Sequence, residues 1–583
     1  MIDIPVVIVG GGGCGLSLSC FLSNYGIEHV LLEKHHDTSV LPKAHYLNQR
    51  SMEIFRLHNL EDELRNKSCP ARYMSQIAWM STLGGKEFDA NFPCRNDAPV
   101  RSVNLPLCRM EPILRRLATE KTIARVLFDH IVTDIRDDGD YVYVGGKDTD
   151  GVEFRYRAKY LVGADGGRTV GPKIGVEMEG EKGLTDMISV HFLADLSQYW
   201  DERFFACHMI NGNCGTVFES GAIVPMGPNW GKHSKEWIFH FGFDLDDEAR
   251  FEEEKLIPRI REILNIPNLD IKPIKTSHWI IEAVLANKYR QGRVFIAGDA
   301  AHKRPPTTGL GLNTAIEDSY NLAWKLSLVL KEKADARILD TYESERRAIG
   351  RRNVDWGLFT FQNSAVINAV IGLVPGQTAS NRARFAKMFE DSEIAAALRA
   401  QTAKIIDSQR IEFSAHNIEL GFKYGTGGFV VDDGTEPDES DPLGQNYVPS
   451  TRPGSRLPHA WIELLDKKMS THDVAGSDGG FALFTDDVGE AWISVAHRFA
   501  NFMGIKISIA QFGPLLHHVK DCDDVWAKVK GIKRGGALFV RPDNIVAWRS
   551  LHKSRSEGGE LMQALELLFG RGIATMNGVN GTK

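Results

Sequence analysis

At 583 residues the chain is too long for one hydrophobic core, so two or three domains are expected. Its 43% hydrophobic and 25% charged residues fit a globular protein. The net charge of −7 argues against nucleic acid as the main partner, because a phosphate-binding surface needs a basic excess. No stretch is long and apolar enough to span a bilayer.

The N-terminus, Met1 to Pro5, lacks a basic region and runs straight into a glycine-rich turn. It reads as a structural strand and not a signal peptide, and the expected location is cytoplasmic. The sequon at Asn580-Gly581-Thr582 carries little meaning without a secretory signal. Eight scattered cysteines (Cys14, Cys20, Cys69, Cys94, Cys108, Cys207, Cys214 and Cys522) form no CxxC pair and no zinc spacing, as expected of reduced thiols.

In chain order, Val6 to Val9 is an apolar run of the kind buried on both faces of a parallel sheet. Gly10-Gly11-Gly12-Gly13-Cys14-Gly15 then fits GxGxxG, with Gly13 inside the same turn, and a helical segment follows from Leu16 to Leu22. His29 to Leu32 reads as a second strand ending at Glu33. Gly10 permits the tight turn, Gly12 lets the backbone approach a pyrophosphate, and Gly15 lets helix and strand pack closely. Glu33 is placed to accept hydrogen bonds from ribose hydroxyls. This fingerprint suits NAD or FAD.

Strand-like runs at Met187–Leu193, 216–224 and 237–241 suggest a sheet inserted within 181–290, with Arg203, His208, Trp230 and His240 as candidate pocket lining. Arg293 to Ala297 is another buried strand, ending in Gly298-Asp299. Pro305-Pro306 and Gly309-Leu310-Gly311-Leu312-Asn313 follow, then a helix expected over 314–331. Asp299 is suited to ribityl hydroxyls, Gly309 and Gly311 to close approach of an isoalloxazine, and the helix start to negative charge on a reduced flavin. This second motif selects FAD. The segment 367–374 is apolar, with burial the default. A Gly/Asp/Pro-rich stretch (421–454) precedes a tail at 455–583 that alternates strand, helix, strand, helix, strand, strand, helix. No second strand-linked GxGxxG exists for a resident nicotinamide domain, since Gly425-Thr426-Gly427-Gly428 has no helix signal after it.

Together, Gly298–His302 and Gly309–Asn313 resemble the flavin-ribityl motif of the single-component FAD-dependent aromatic hydroxylases, in the phenol 2-monooxygenase, 2,4-dichlorophenol 6-monooxygenase and polyketide hydroxylase branch. Tyr160 to Thr169 is similar to that family's Asp-Gly motif, and Pro42 to Glu53 to its segment passing the flavin. The resemblance implies an α/β (α+β overall) fold: a Rossmann-like FAD-binding domain of the p-hydroxybenzoate hydroxylase type (1–180 and 291–420, with a helical extension), an inserted β-sheet substrate domain (181–290), a linker, and a thioredoxin-like C-terminal domain without CxxC. It implies FAD, NADPH or NADH as a transient cosubstrate, O2, a small phenolic substrate hydroxylated through a flavin C4a-hydroperoxide, and a homodimer. It assigns Asp165 to FAD and NAD(P)H contact and Pro306 to a carbonyl beside the reacting centre. His45 falls where phenol hydroxylases place an acid, making it the candidate base. His302 reads as structural.

Departures from the pattern are Leu107 in place of a glutamine four residues before Glu111, Lys43 where relatives carry arginine, and Val170-Gly171 in place of a Val-Arg pair. Arg109 is offered as a substitute donor to the cofactor, and Lys43 as an NAD(P)H contact without the planar fork. The rival readings are an FAD-dependent oxidase, dehydrogenase or halogenase, and a non-enzymatic protein that keeps the FAD fold.

Overall fold

The structure is a computed structural model that describes residues 1–83, 87–90, 97–425, 427, 429–436, 441, 443–476 and 478–570. Cys94, Thr426, Gly428 and the sequon at Asn580 lie outside the described residues.

The strand Ile2–Val9 sits at the centre of the first sheet, parallel to Glu153–Gly163 on one side and His29–Leu32 on the other. Val294–Ile296 extends the sheet beyond Glu153–Gly163, and Ala124–Leu127 extends it beyond His29–Leu32, both in parallel. Val6, Val7 and Ile8 have no exposed surface, so the apolar run is explained by burial on both faces. Gly10 adopts φ +112°, and a Cβ there would run into Ala164 O, while a Cβ on Gly15 would strike Gly10 O. These two positions therefore require glycine, and the first helix, Gly13–Asn24, packs directly behind the turn.

The second sheet roofs the first lobe. Its strand order is His302–Lys303, Lys272–Ala286, Met178–Leu193, Glu236–Phe243, Ala222–Gly227, Phe204–Met209, Gln76–Met80 and Glu87–Ala90. Alternation divides its faces. Ile188, Val190, Phe192, Phe239, Phe241 and Phe243 point outward into a core closed by Leu256, Ile260 and Ile263 of the helix Glu253–Leu264. Ser189, His191, His208 and His240 occupy the other face.

Two expectations change here. The run 216–224 is not one strand: Val217–Ser220 is a helical turn capped by Thr216, and the strand starts at Ala222 after Gly221, whose φ is +80°. The sheet also recruits Gln76–Met80 and Glu87–Ala90 from well outside 181–290, through the parallel pairing of Gln76–Met80 with Phe204–Met209.

The helix expected over 314–331 is Leu310–Leu330. It begins four residues earlier because Gly309, in the left-handed conformation, supplies the N-cap, which places Gly311, Leu312 and Asn313 in its first turn. Asp340–Asn363, Ala365–Ile371, Thr378–Lys387 and Glu393–Ser408 form the helical extension. Within it Ile367, Ile371 and Leu373 are buried, with Val366 and Val374 exposed.

In the tail, Phe481–Asp486 is parallel to Ile507–Phe512 and antiparallel to Ala537–Val540, which pairs antiparallel with Val546–Ser550. Helices Glu490–Met503, Val525–Val529 and Gly559–Phe569 complete a βαβαββα order. Cys522 is exposed and is the tail's one cysteine, so no dithiol is available. The segment before the tail is no free linker: Phe422, Tyr424 and Val430 are buried with Ile349 and Ile545. Among the described residues no helix is long and apolar enough to cross a membrane.

Candidate active site

Three stretches distant in sequence converge on one crevice. Cys14, in the glycine turn, lies against Gly298 and Ser319. Gly167 abuts Ala300, and Leu312 lies over Gly13. Asn313 ties the third stretch to the segment passing it: its Oδ1 accepts from Asn48 N (2.9 Å) and Ser51 Oγ (2.7 Å), and its Nδ2 donates to Tyr46 O (3.0 Å) and Gly309 O (2.6 Å). Gly309 approaches the Tyr46 ring so closely that a Cβ would touch it at 3.0 Å.

The crevice suits a dinucleotide. The space beside Gly311 is open, and at Gly12 the nearest atom a Cβ would meet is Glu111 Oε1 at 3.6 Å. The helices starting after Gly12 and Gly309 have no side-chain cap, so both direct N–H groups and a positive dipole end into the same gap. Asp299 stands exposed at a strand end, as a carboxylate awaiting hydroxyl donors would. Glu33 holds the turn itself, accepting from Gly11 N (2.6 Å) and His35 N (2.9 Å), with lone pairs left for a ribose.

Other expected residues are placed differently. Arg109 does not reach into the crevice. Its Nε donates to Met226 O (2.9 Å) and its Nη2 to Glu236 Oε2 (2.8 Å), because the half-buried Glu236 carboxylate of the facing sheet draws it there. Burial opposes ionisation of Glu236, but His191 and Arg109 hold its pKa below the ordinary value. Asp165 turns inward and accepts from Gly167 N, Thr169 N and Val170 N, fixing its own loop. The Pro306 carbonyl accepts from Gly309 N at 3.0 Å within a short 3₁₀ turn. Lys43 is exposed near Glu111. Glu111 accepts from Gly13 N (3.0 Å) and Ser39 N (2.8 Å), and burial raises its pKa against those bonds. His302 is enclosed and bonded to Asp318 (2.9 Å), the structural role expected of it.

His45 lies where the flavin segment meets the roofing sheet. It precedes the short strand Tyr46–Leu47, which pairs with Val103–Asn104, and its ring lies 5.6 Å from Phe205 of the roofing sheet. Its Nδ1 is 3.1 Å from Asn104 Oδ1. An amide oxygen only accepts, so Nδ1 carries the proton and Nε2 presents a lone pair; the amide orientation agrees, since Nδ2 faces Pro225 O. Burial lowers the His45 pKa to about 4, partly offset by Asn104.

Sequence reasoning missed Asn104, whose pairing with His45 spans 59 positions, and Arg304, buried with Nη2 on the Leu310 and Gly311 carbonyls. It placed Arg203 and Trp230 too generously. Arg203 pairs with Asp201 at the surface, and Trp230 packs in an apolar cluster with Tyr46 and Tyr73.

A glycine turn on a parallel sheet, a ribityl-type strand end and a facing sheet define a flavin-dinucleotide oxidoreductase. Residues 3–357 match the FAD binding domain family, and residues 450–572 match the aromatic-ring hydroxylase C-terminal family. The chain is 32% identical to 2,4-dichlorophenol 6-monooxygenase of Cupriavidus pinatubonensis over 98% of its own length and 97% of that protein. It is 31% identical to phenol 2-monooxygenase of a Pseudomonas species over 94% and 90%. Among solved structures, the flavin-dependent monooxygenase PieE in complex with FAD and substrate superposes with a TM-score of 0.91 at 32% identity, covering 98% of this chain and 100% of that one. The chain belongs to the FAD-dependent aromatic-ring hydroxylases, and its cofactor is FAD.

Proposed function

We propose that this enzyme uses NAD(P)H and O2 to hydroxylate a phenolic ring, with His45 receiving the hydrogen of the substrate hydroxyl. The observation that carries the reading is the His45–Asn104 pair, which leaves an acceptor nitrogen unpartnered among the described residues between the flavin crevice and the roofing sheet. Bound FAD, reduced by NAD(P)H, supplies the reactivity with O2. The protein's part is to exclude water, hold the ring, and draw on the hydroxyl hydrogen so that electron density rises at the carbon being attacked. With its pKa lowered to about 4, His45 is a modest base, so the hydrogen shifts as the ring is attacked and not beforehand. Asn104 keeps the tautomer fixed throughout.

In this reading Glu33 and Asp299 hold the FAD ribose and ribityl hydroxyls, Gly12 and Gly13 the pyrophosphate, and Gly309 to Asn313 the ring system. Family resemblance supports a homodimer, which sedimentation tests, and the unpaired cysteines support a cytoplasmic location.

The test is NAD(P)H oxidation by the purified yellow protein against a panel of phenols, with oxygen uptake and product mass recorded. A product heavier by one oxygen is expected, and His45→Ala should lower kcat by about 100-fold with FAD content intact. An unchanged rate would remove His45 from this role. Reduction of the flavin by a phenol without NAD(P)H would replace the hydroxylase reading with an oxidase or dehydrogenase.

A further inference from the structure

The face of the roofing sheet opposite the flavin motifs carries a cross-strand row that the fold itself does not use. The register aligns Ser189 with His240, His240 with Ala222, Ala222 with His208, and His208 with Trp79. Strands lie about 4.8 Å apart, so the two imidazoles stand about 10 Å apart with a methyl group between them. This is a notch: Ala222 is its floor, and His240 and His208 are its walls. His208 is braced from behind by Trp79, stacked at 4.4 Å and 15°. Ala222, His208 and His240 each keep partial exposure although they face the interior. On the far side Phe413 closes against His208 at 5.8 Å, and His45 enters beside Phe205, which belongs to the same strand as His208.

The hydrogen-bonding sense of the notch follows from its neighbours. Trp279 Nε1, which can only donate, reaches Ser189 Oγ at 3.2 Å, and Ser189 Oγ lies 2.8 Å from His240 Nδ1. The relay that satisfies all three runs Trp279 to Ser189 to His240 Nδ1, leaving His240 Nε2–H as a donor. Among the described residues, that N–H and both ring nitrogens of His208 have no hydrogen-bond partner. Burial lowers His208 to about 4 and His240 to about 3, the latter with help from His45 and His208, so the notch offers hydrogen bonds without charge. Interior polar groups left without partners in the protein are satisfied by what binds there.

Resting on the hydroxylase reading above, we propose that the substrate is an uncharged aromatic carrying at least two oxygen substituents, one received by His45 Nε2 and another seated over Ala222 between His208 and His240. Dihydroxylated and larger polyoxygenated aromatics then outrank singly hydroxylated phenols and halophenols. A ring with one hydroxyl leaves the His240 N–H and the His208 nitrogens unanswered, and the loss of one such bond is worth about 10- to 100-fold.

The experiment measures kcat/KM for oxygenated product with the FAD-loaded enzyme, comparing phenol and chlorophenols with dihydroxybenzenes and hydroxylated bicyclic aromatics. The doubly oxygenated class should be favoured by about tenfold or more. His240→Phe should collapse the ratio between the two classes toward one, and Ala222→Val, which fills the floor in a residue suited to a strand, should do the same by a different route. Equal or better turnover of monophenols by the unmodified enzyme would overturn the proposal. So would variants that keep FAD yet preserve the ratio. If no phenol of either class is oxygenated, the hydroxylase reading itself falls; hydroxylation of monophenols alone would leave that reading standing and remove only this one.

Discussion

Two interior regions of this molecule are rich in ionisable side chains, and they are built on opposite rules. Where the C-terminal tail meets the flavin helix, charges are matched. Arg541 donates to Glu345 Oε1 (2.7 Å) and Oε2 (2.9 Å) and to Asp543 Oδ1 (3.0 Å) and Oδ2 (2.7 Å). Lys325 donates to Glu345 (2.7 Å), and Tyr320 OH to Pro542 O (2.6 Å). Arg456, also from the tail, clasps Glu53 on the helix Gln49–Leu57. Under the roofing sheet, beside the Arg109–Glu236 pair, His208 and His240 are held neutral by burial, with nitrogens left over. A satisfied buried charge is an element of architecture, whereas an unanswered buried polar group marks a place for something that is not protein. The first region also shows how the tail can matter without redox chemistry: it grips the two helices that begin at the flavin motifs.

The largest expected effect tests the matched side. Arg541→Met leaves Glu345 and Asp543 buried with their best partner gone, and breaking such a pair costs about 3–5 kcal/mol. Denaturant unfolding of the variant measures it. A loss below about 1 kcal/mol would mean that the seam is hydrated and that the contrast between the regions is false.

A smaller effect separates two aspartates a short distance apart in sequence. Asp318 is fully buried and bonded to Arg346 (2.8 Å) and His302 (2.9 Å), whereas Asp299 is exposed at the crevice. Asp299→Ala should weaken FAD by about 10- to 100-fold, the worth of charge-assisted hydrogen bonds, and leave the stability of the apoprotein within about 0.5 kcal/mol. Flavin titration with apoprotein melting reads both quantities. Undiminished FAD binding would take Asp299 out of the ribityl role.

How much of this was legible follows from the range of the interactions. The glycine turn was readable because strand, turn, helix and acid are local, and the demand for glycine at Gly10 and Gly15 comes from backbone within the same unit. The flavin helix was misjudged by four residues because its cap is a left-handed Gly309 and not a serine or aspartate. The roofing sheet was legible in the strand-like runs at Met187–Leu193 and 237–241, but nothing local announces that Gln76–Met80 joins it, since that pairing crosses more than a hundred positions. The notch is the extreme case. Ser189, Trp79 and Trp279 acquire their meaning only from register, and a shift of one residue would turn the row into the outer core. Arg109 misled because a cation near the motif was read without its partner, Glu236, which lies on another sheet.

The last test concerns acid, where the two regions should part company without any mutation. Glu345 and Glu53 are each held at about 2 against an ordinary 4.5: burial would raise them, but the buried cations Arg541 and Lys325 around Glu345, and Arg456 at Glu53, outweigh it. Their folded pKa values are depressed, so their contribution is complete above about 4.5 and is lost as pH falls toward about 2. His45 is also depressed, to about 4 from 6.5, but it is a base. The unfolded chain therefore binds a proton through that window while the folded enzyme does not, and stability declines as pH drops from 6.5 toward 4 even though the acceptor nitrogen stays free. The acid limb of kcat/KM should accordingly lie near about 4 and not at 6.5, displaced from the onset of the stability loss. An acid limb of kcat/KM at 6.5 would show a solvated His45, which then adds nothing to the stability loss, and with it a site open to water beneath the roofing sheet.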